Sequence, residues 1–176
     1  MAKYVAFLRA INVGGHNLIK MQDLVKLFTS LEFENTVTYL QSGNVIFETN
    51  EKNSKEISEK IEKKIIDILK KEVKVFIRTE SELNKLVESK QFKQNIANSH
   101  AYVIFIEDKP STIPLKSPKE DVEIIAIENN NIISLSHLVN GKYGSPGNYL
   151  ETKLKILTTT RNCNSLNGLM KILKNK

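Results

Sequence analysis

The stretch Arg9-Ala10-Ile11-Asn12-Val13-Gly14-Gly15-His16-Asn17 gathers a guanidinium, two carboxamides, an imidazole and a glycine pair into nine residues. A second cluster, Gln41-Ser42-Gly43-Asn44, adds two more carboxamides, a hydroxyl and another glycine. These groups donate and accept hydrogen bonds, and one of them carries a fixed positive charge. Such a set holds an anion or a planar polar ligand through charge-assisted bonds and exposed backbone N–H groups. The candidate residues are Arg9, Asn12, Gly14, Gly15, Asn17, Gln41, Ser42 and Asn44. Each also has an ordinary structural role: Gly14 and Gly15 supply positive φ for a turn, and residues 41–44 are good hairpin chemistry.

Bond-making chemistry has less support. His16 is a candidate general base without an acidic partner nearby in sequence, so catalysis there is a minor reading. Cys163 lies beside Arg161 at a helix start, where a thiol pKa can fall, but an ordinary core thiol is the commoner case. There is no phosphate-binding P-loop, no dinucleotide-binding glycine pattern and no nucleophile elbow. His16, His100 and His137 lack companions at ligand spacing, so no metal site is expected and no cofactor is implied.

The elements that must position these clusters follow from periodicity. Tyr4–Leu8 is a short apolar strand, and residues 20–31 carry Met21, Leu24, Val25, Phe28 and Leu31 at helical spacing. Residues 36–40 and 45–49 read as strands joined through the 41–44 turn. Ser54 is a cap for a helix whose stripe is Ile57, Ile61, Ile65 and Ile68, and residues 73–77 form another strand. That order, β-α-β-β-α-β, is the split βαβ unit. In it the end of the first strand and the turn between the second and third share one edge, which brings residues 9–17 and 41–44 together. Strands one and three are apolar on both faces, which predicts a sheet covered on both sides.

Thr79 with Glu82 makes a capping box for a helix with Leu83, Leu86 and Val87 inward. Tyr102–Ile106 then echoes Tyr4–Leu8. Pro110, Pro114 and Pro118 interrupt the next stretch. Residues 122–127 and 132–138 are strands of a second hairpin, residues 148–157 a helix, 158–162 a loop, and Leu166, Leu169, Met170 and Leu173 mark a last helix. The expected class is α+β: tandem ferredoxin-like (βαββαβ) units packed as one body, the second degraded. The first unit is 1–78, the connection 79–100 and the second unit 101–176.

Composition sets the remaining bounds. An apolar fraction of 40% supports a packed core, and no run approaches the length of a membrane span. The chain starts directly on a strand pattern, which leaves no room for a signal peptide, and one cysteine permits no internal disulfide, so a cytoplasmic protein is expected. The net charge of +6 arises in residues 138–176, which hold seven basic residues and the single acid Glu151. A basic segment favours an anionic partner, nucleic acid included, or simply solubilises the chain. The third strand, Asn44-Val45-Ile46-Phe47-Glu48, matches the aromatic-rich motif of RNA-recognition domains poorly.

Tyr4–Gly15, Met21, Thr38–Phe47 and Thr159–Ser165 resemble the bacterial family known as domain of unknown function 1697. The resemblance spans nearly the whole chain. It implies duplicated ferredoxin-like units and brings no known activity, substrate or cofactor. It adds Thr160, Arg161, Asn162 and Asn164 to the candidate residues. Three positions depart from the family pattern. Cys163 stands where tryptophan is usual, His16 where lysine is common, and Glu151-Thr152-Lys153-Leu154 replaces a glycine-serine-lysine-leucine stretch. The resulting expectation is a binding protein for a polar or anionic ligand, with Arg9 and Arg161 on its charge. An enzyme acting on a small polar metabolite and a protein-interaction module are the alternatives. Catalysis and oligomeric state are not legible.

Overall fold

The computed structural model describes residues 1–15, 17–94 and 96–175; His16, and with it any reading of that imidazole, lies outside the described residues. The chain divides into two compact units, Met1–Leu83 and Asn84–Lys176. Each is built around an antiparallel sheet, and five helices complete a mixed α and β fold.

The first unit runs β1 (Ala2–Leu8), α1 (Met21–Thr29), β2 (Glu34–Tyr39), β3 (Asn44–Thr49), α2 (Ser54–Leu69) and β4 (Val75–Thr79). The strands lie in the order β2-β3-β1-β4. Alternation along the strands sends Tyr4, Ala6, Leu8, Val45, Phe47, Val75 and Ile77 into one core with Leu24, Leu27 and Phe28 of α1 and Ile57, Ile61 and Ile65 of α2. Phe47 anchors it, stacked on Phe33 at 4.6 Å and edge-on to Phe28 at 5.3 Å. On the opposite face Val5, Phe7, Ile46 and Phe76 are buried too, as the two-sided apolar strands require.

Two local expectations shift. Asn53, not Ser54, caps α2: its side-chain oxygen accepts from the N–H groups of Lys55 and Glu56. Its amide also donates to Glu56, so Asn53 serves both partners at once. Ile68 is 52% exposed rather than in the stripe. The stripe advances by four from Ile57 through Ile61 and Ile65 to Leu69, which packs on the core and leaves Ile68 about 100° round the helix.

After α3 (Glu80–Glu88), the second unit contains β5 (Ser99–Phe105), β6 (Val122–Glu128), β7 (Asn131–Val139), β8 (Lys142–Tyr143), α4 (Pro146–Leu154), β9 (Thr159–Asn162) and α5 (Cys163–Lys174). Its sheet order is β6-β7-β5-β9, with β8 against β7. Ile104, Ile106, Val122, Ile124 and Ile132 pack beneath Leu150 of α4. No helix occupies the proline-punctuated stretch between β5 and β6 among the described residues. Residues 158–162 are not a loop: Thr159 and Thr160 pair with Phe105 and Ile104, so Thr159–Asn162 closes the sheet as a strand. Four residues with no apolar alternation carry little strand pattern, but β-branched threonines suit one.

The two sheets share one registered feature. Arg78 of β4 pairs with Val5 of β1, and Arg161 of β9 pairs with Val103 of β5. Both arginines are buried. Each is followed by a residue that caps a helix: Thr79 Oγ1 accepts from the Glu82 N–H at 3.1 Å, and Asn162 Oδ1 from the Ser165 N–H at 2.7 Å.

Candidate functional site

The loop leaving β1 is held by backbone conformations few residues adopt. Ala10, Asn12, Gly14, Gly15 and Asn17 all have positive φ, between 48° and 78°. Asn12 fastens the loop at both ends. Its Nδ2 donates to the carbonyls of Ile19 and Gln41, each at 3.0 Å, and its Oδ1 accepts from the Ile19 N–H at 2.8 Å. Asn17 donates back to the Ala10 carbonyl at 3.2 Å. Arg9 is half-buried, and its backbone N–H donates to the Lys74 carbonyl at 2.9 Å.

The hairpin turn is seated on the same edge. Leu8 N–H donates to the Gly43 carbonyl at 2.8 Å. Gly43 has φ +75°, and a Cβ there would sit 2.9 Å from Leu8 Cβ, so both conformation and space call for glycine. Asn44 is buried, and its amide donates to the Tyr39 carbonyl and the Ser42 hydroxyl. The fold therefore joins the described residues of this loop to residues 41–44, and does so through the Asn12 amide, one of those that sequence reasoning had assigned to a ligand. What this edge turns to solvent is different: a groove of about 700 Å³ whose polar walls are Asn12, Lys20, Asp23 and Gln41. Its apolar walls include Leu18, Met21, Ile68 and Leu69. Leu18 and Ile68 are 66% and 52% exposed. Sequence reasoning missed these two; the signal was an apolar pair, Leu18-Ile19, inside a polar loop, and an isoleucine one position off the helix stripe.

Thr160, Arg161, Asn162 and Asn164 belong to the second unit. Arg161 Nη1 donates to Thr159 Oγ1 at 2.7 Å and to the Thr160 carbonyl at 2.9 Å. Burial lowers its guanidinium to about 10, which leaves it charged at neutral pH. Arg78, which sequence reasoning passed over, is its counterpart: buried, lowered to about 10 by desolvation against the opposing pull of Glu82, and donating to the Ile77 carbonyl at 2.7 Å. Its signal was a lone cation closing the apolar run Val75-Phe76-Ile77. Burial pushes the Cys163 thiol up to about 12, so Arg161 and the helix start do not make it a nucleophile. Asn162 and Asn164 line an open cavity of about 780 Å³ with Tyr102 and Asn167. His137 is 3.1 Å from Glu123, and the His100 ring lies 4.2 Å from that of Tyr143, tilted by 42°. Among the described residues no group of three or more histidine, cysteine, aspartate or glutamate side chains is placed to hold a metal ion, and no helix is long and apolar enough to cross a membrane.

The family model described as protein of unknown function, DUF1697, matches residues 1–132. The solved structure of a conserved bacterial protein from Streptococcus pneumoniae shares the fold, with a TM-score of 0.72 over 98% of each chain at 19% identity. No curated protein matches the sequence.

Proposed function

We propose, starting from a chain that belongs to the DUF1697 family of proteins of unknown function, that it is a binding protein whose site is the groove at the loop edge of the first unit. The ligand is amphipathic: an apolar body laid on Leu18, Met21, Ile68 and Leu69, with a polar or anionic head at Gln41 and Lys20. The observation that carries this is the Asn12–Gln41 link. Two loops 29 positions apart are bonded into one wall of a 700 Å³ groove, a volume within the range of small-molecule sites. Arg9, at the root of the same loop, adds to the positive field. Nucleic acid fits this groove less well, because its walls hold one lysine and one aspartate and offer phosphates little net charge. A cytoplasmic location is part of this proposal, and the single cysteine supports it. Each unit is read as ferredoxin-like, a reading supported by the parallel strand orders β2-β3-β1-β4 and β6-β7-β5-β9.

The test is a fluorescence titration with anilinonaphthalene sulfonate, a probe with an apolar body and an anionic head. Saturable binding that Ile68→Glu abolishes and Lys20→Glu weakens supports the groove. Binding unchanged in both variants places the ligand elsewhere. Short single-stranded RNA and DNA, titrated at two salt concentrations, separate this reading from nucleic-acid binding. A second reading, a protein interface, draws on Val13, Leu18, Leu40 and Ile68, four exposed apolar side chains on the segments bordering the groove. A homodimer in sedimentation that Ile68→Glu dissociates would favour it.

A further inference from the structure

We propose that the open cavity of the second unit is a separate binding site for a nucleotide-like ligand, a planar heterocycle with a donor–acceptor edge and an anionic substituent. The cavity is formed within the second unit by the segment before β5, the first half of β5 and the start of α5. Its volume, about 780 Å³, is large enough for a mononucleotide.

The chemistry of the walls argues for this class. Asn164 and Asn167 lie three positions apart on α5, so both amides project from one side of the helix. A carboxamide offers one acceptor and two donors in a plane, the complement of a nucleobase edge. Tyr102 supplies a phenol ring, a flat surface on which such a ring stacks, and its hydroxyl is a further donor and acceptor. The side chains of Tyr102, Asn164 and Asn167 have no hydrogen-bond partner among the described residues. They differ in this from Asn12, Asn17 and Asn44, whose amides are engaged in the fold. His100 also lines the cavity, with the Tyr143 ring tilted against it at 4.2 Å. Lys93 is the one lysine, arginine, aspartate or glutamate among the described lining residues, so an anionic substituent is attracted and a cationic one is not.

The test is calorimetric titration of the full chain with nucleoside 5′-monophosphates, the matching nucleosides and inorganic phosphate. The expected result is saturable binding of at least one monophosphate, weaker binding of its nucleoside and none of phosphate. Asn164→Ala and Asn167→Ala, both at exposed helix positions that leave the fold intact, each weaken it about 5- to 10-fold, the loss of one or two hydrogen bonds. Ile68→Glu, in the first unit, leaves it unchanged, so this site and the groove fail independently. A short single-stranded RNA binding more tightly than the monophosphate identifies the polymer as the source of the base; equal binding identifies free nucleotide. No binding of any monophosphate, equal binding of inorganic phosphate, or indifference to both asparagine substitutions overturns the proposal.

Discussion

Replacing Asn12 separates a residue that holds the loop from one that holds a ligand. In Asn12→Ala three hydrogen bonds disappear, to the Ile19 N–H, the Ile19 carbonyl and the Gln41 carbonyl. At about 0.5–1.5 kcal/mol each, with the half-buried Ile19 N–H left unsatisfied, the loss is roughly 2–4 kcal/mol. Residue 12 also has φ +55°, which asparagine tolerates and alanine resists by about 1 kcal/mol more. The expected destabilisation is therefore about 3–5 kcal/mol. For a unit of this size that lowers the melting temperature by about 12 °C or more. Two further variants divide the sum. Asn12→Gly removes the bonds without the conformational penalty and recovers about 1 kcal/mol. Asn12→Asp keeps the acceptor for the Ile19 N–H but turns a carboxylate oxygen on the carbonyls of Ile19 and Gln41, so it does not restore the parent's stability. Urea unfolding followed by tyrosine fluorescence reads the transition, since the chain has no tryptophan; Tyr4 and Tyr39 report on the first unit, and Tyr102, Tyr143 and Tyr149 on the second. If Asn12→Ala unfolds within about 0.5 kcal/mol of the parent, the amide is not a brace, and its role lies with the ligand.

Four further outcomes follow from the structure. Gly43→Ala forces a Cβ to 2.9 Å from Leu8 Cβ at φ +75° and costs about 2–4 kcal/mol, measured by the same unfolding curve. Folded protein resists iodoacetamide at pH 8, and mass spectrometry finds Cys163 modified only after denaturation, because the thiol is 8% exposed and its pKa is raised to about 12. The same shift sets a pH dependence. The unfolded thiol ionises near 9 and the folded one near 12, so the native state holds more protons and stability falls as pH rises between those values; Cys163→Ala flattens that part of the profile. Thr79→Ala removes the cap on the Glu82 N–H and two bonds to the Glu82 carboxylate break or weaken, a cost of about 1–2 kcal/mol on urea unfolding.

Periodicity made the frame legible. Tyr4–Leu8, the Ile57-Ile61-Ile65 stripe and the 41–44 turn are repeated patterns of burial, and burial is what periodicity records. The approach of residues 9–17 to residues 41–44 was legible too, because the split βαβ order carries it. The role of the side chains at that edge was not. A carboxamide in a polar loop has the same composition whether it bonds a ligand or the carbonyls of Ile19 and Gln41, and only the fold decides. The strand at Thr159–Asn162 stayed hidden because its partner, β5, lies more than fifty positions away and supplies the pairing that four polar residues do not announce. The groove was obscured for the opposite reason. Ile68 was expected in the buried stripe and Leu18 carried no expectation, and the exposure of both follows from three-dimensional position alone.

The pairing of each sheet's first strand with its last sets a clock on synthesis. Arg78 emerges 73 residues after Val5, and Arg161 58 residues after Val103. At roughly 5–20 residues per second, one side of β1 waits some 4–15 s for β4, and β5 waits almost as long for β9. During each wait a central strand offers an open row of N–H and C=O groups, the surface on which chains join wrongly. The tandem layout takes the two waits in succession: Thr79 precedes Ser99 by twenty positions, so β4 emerges ahead of β5 and the first sheet can close before the second central strand is exposed.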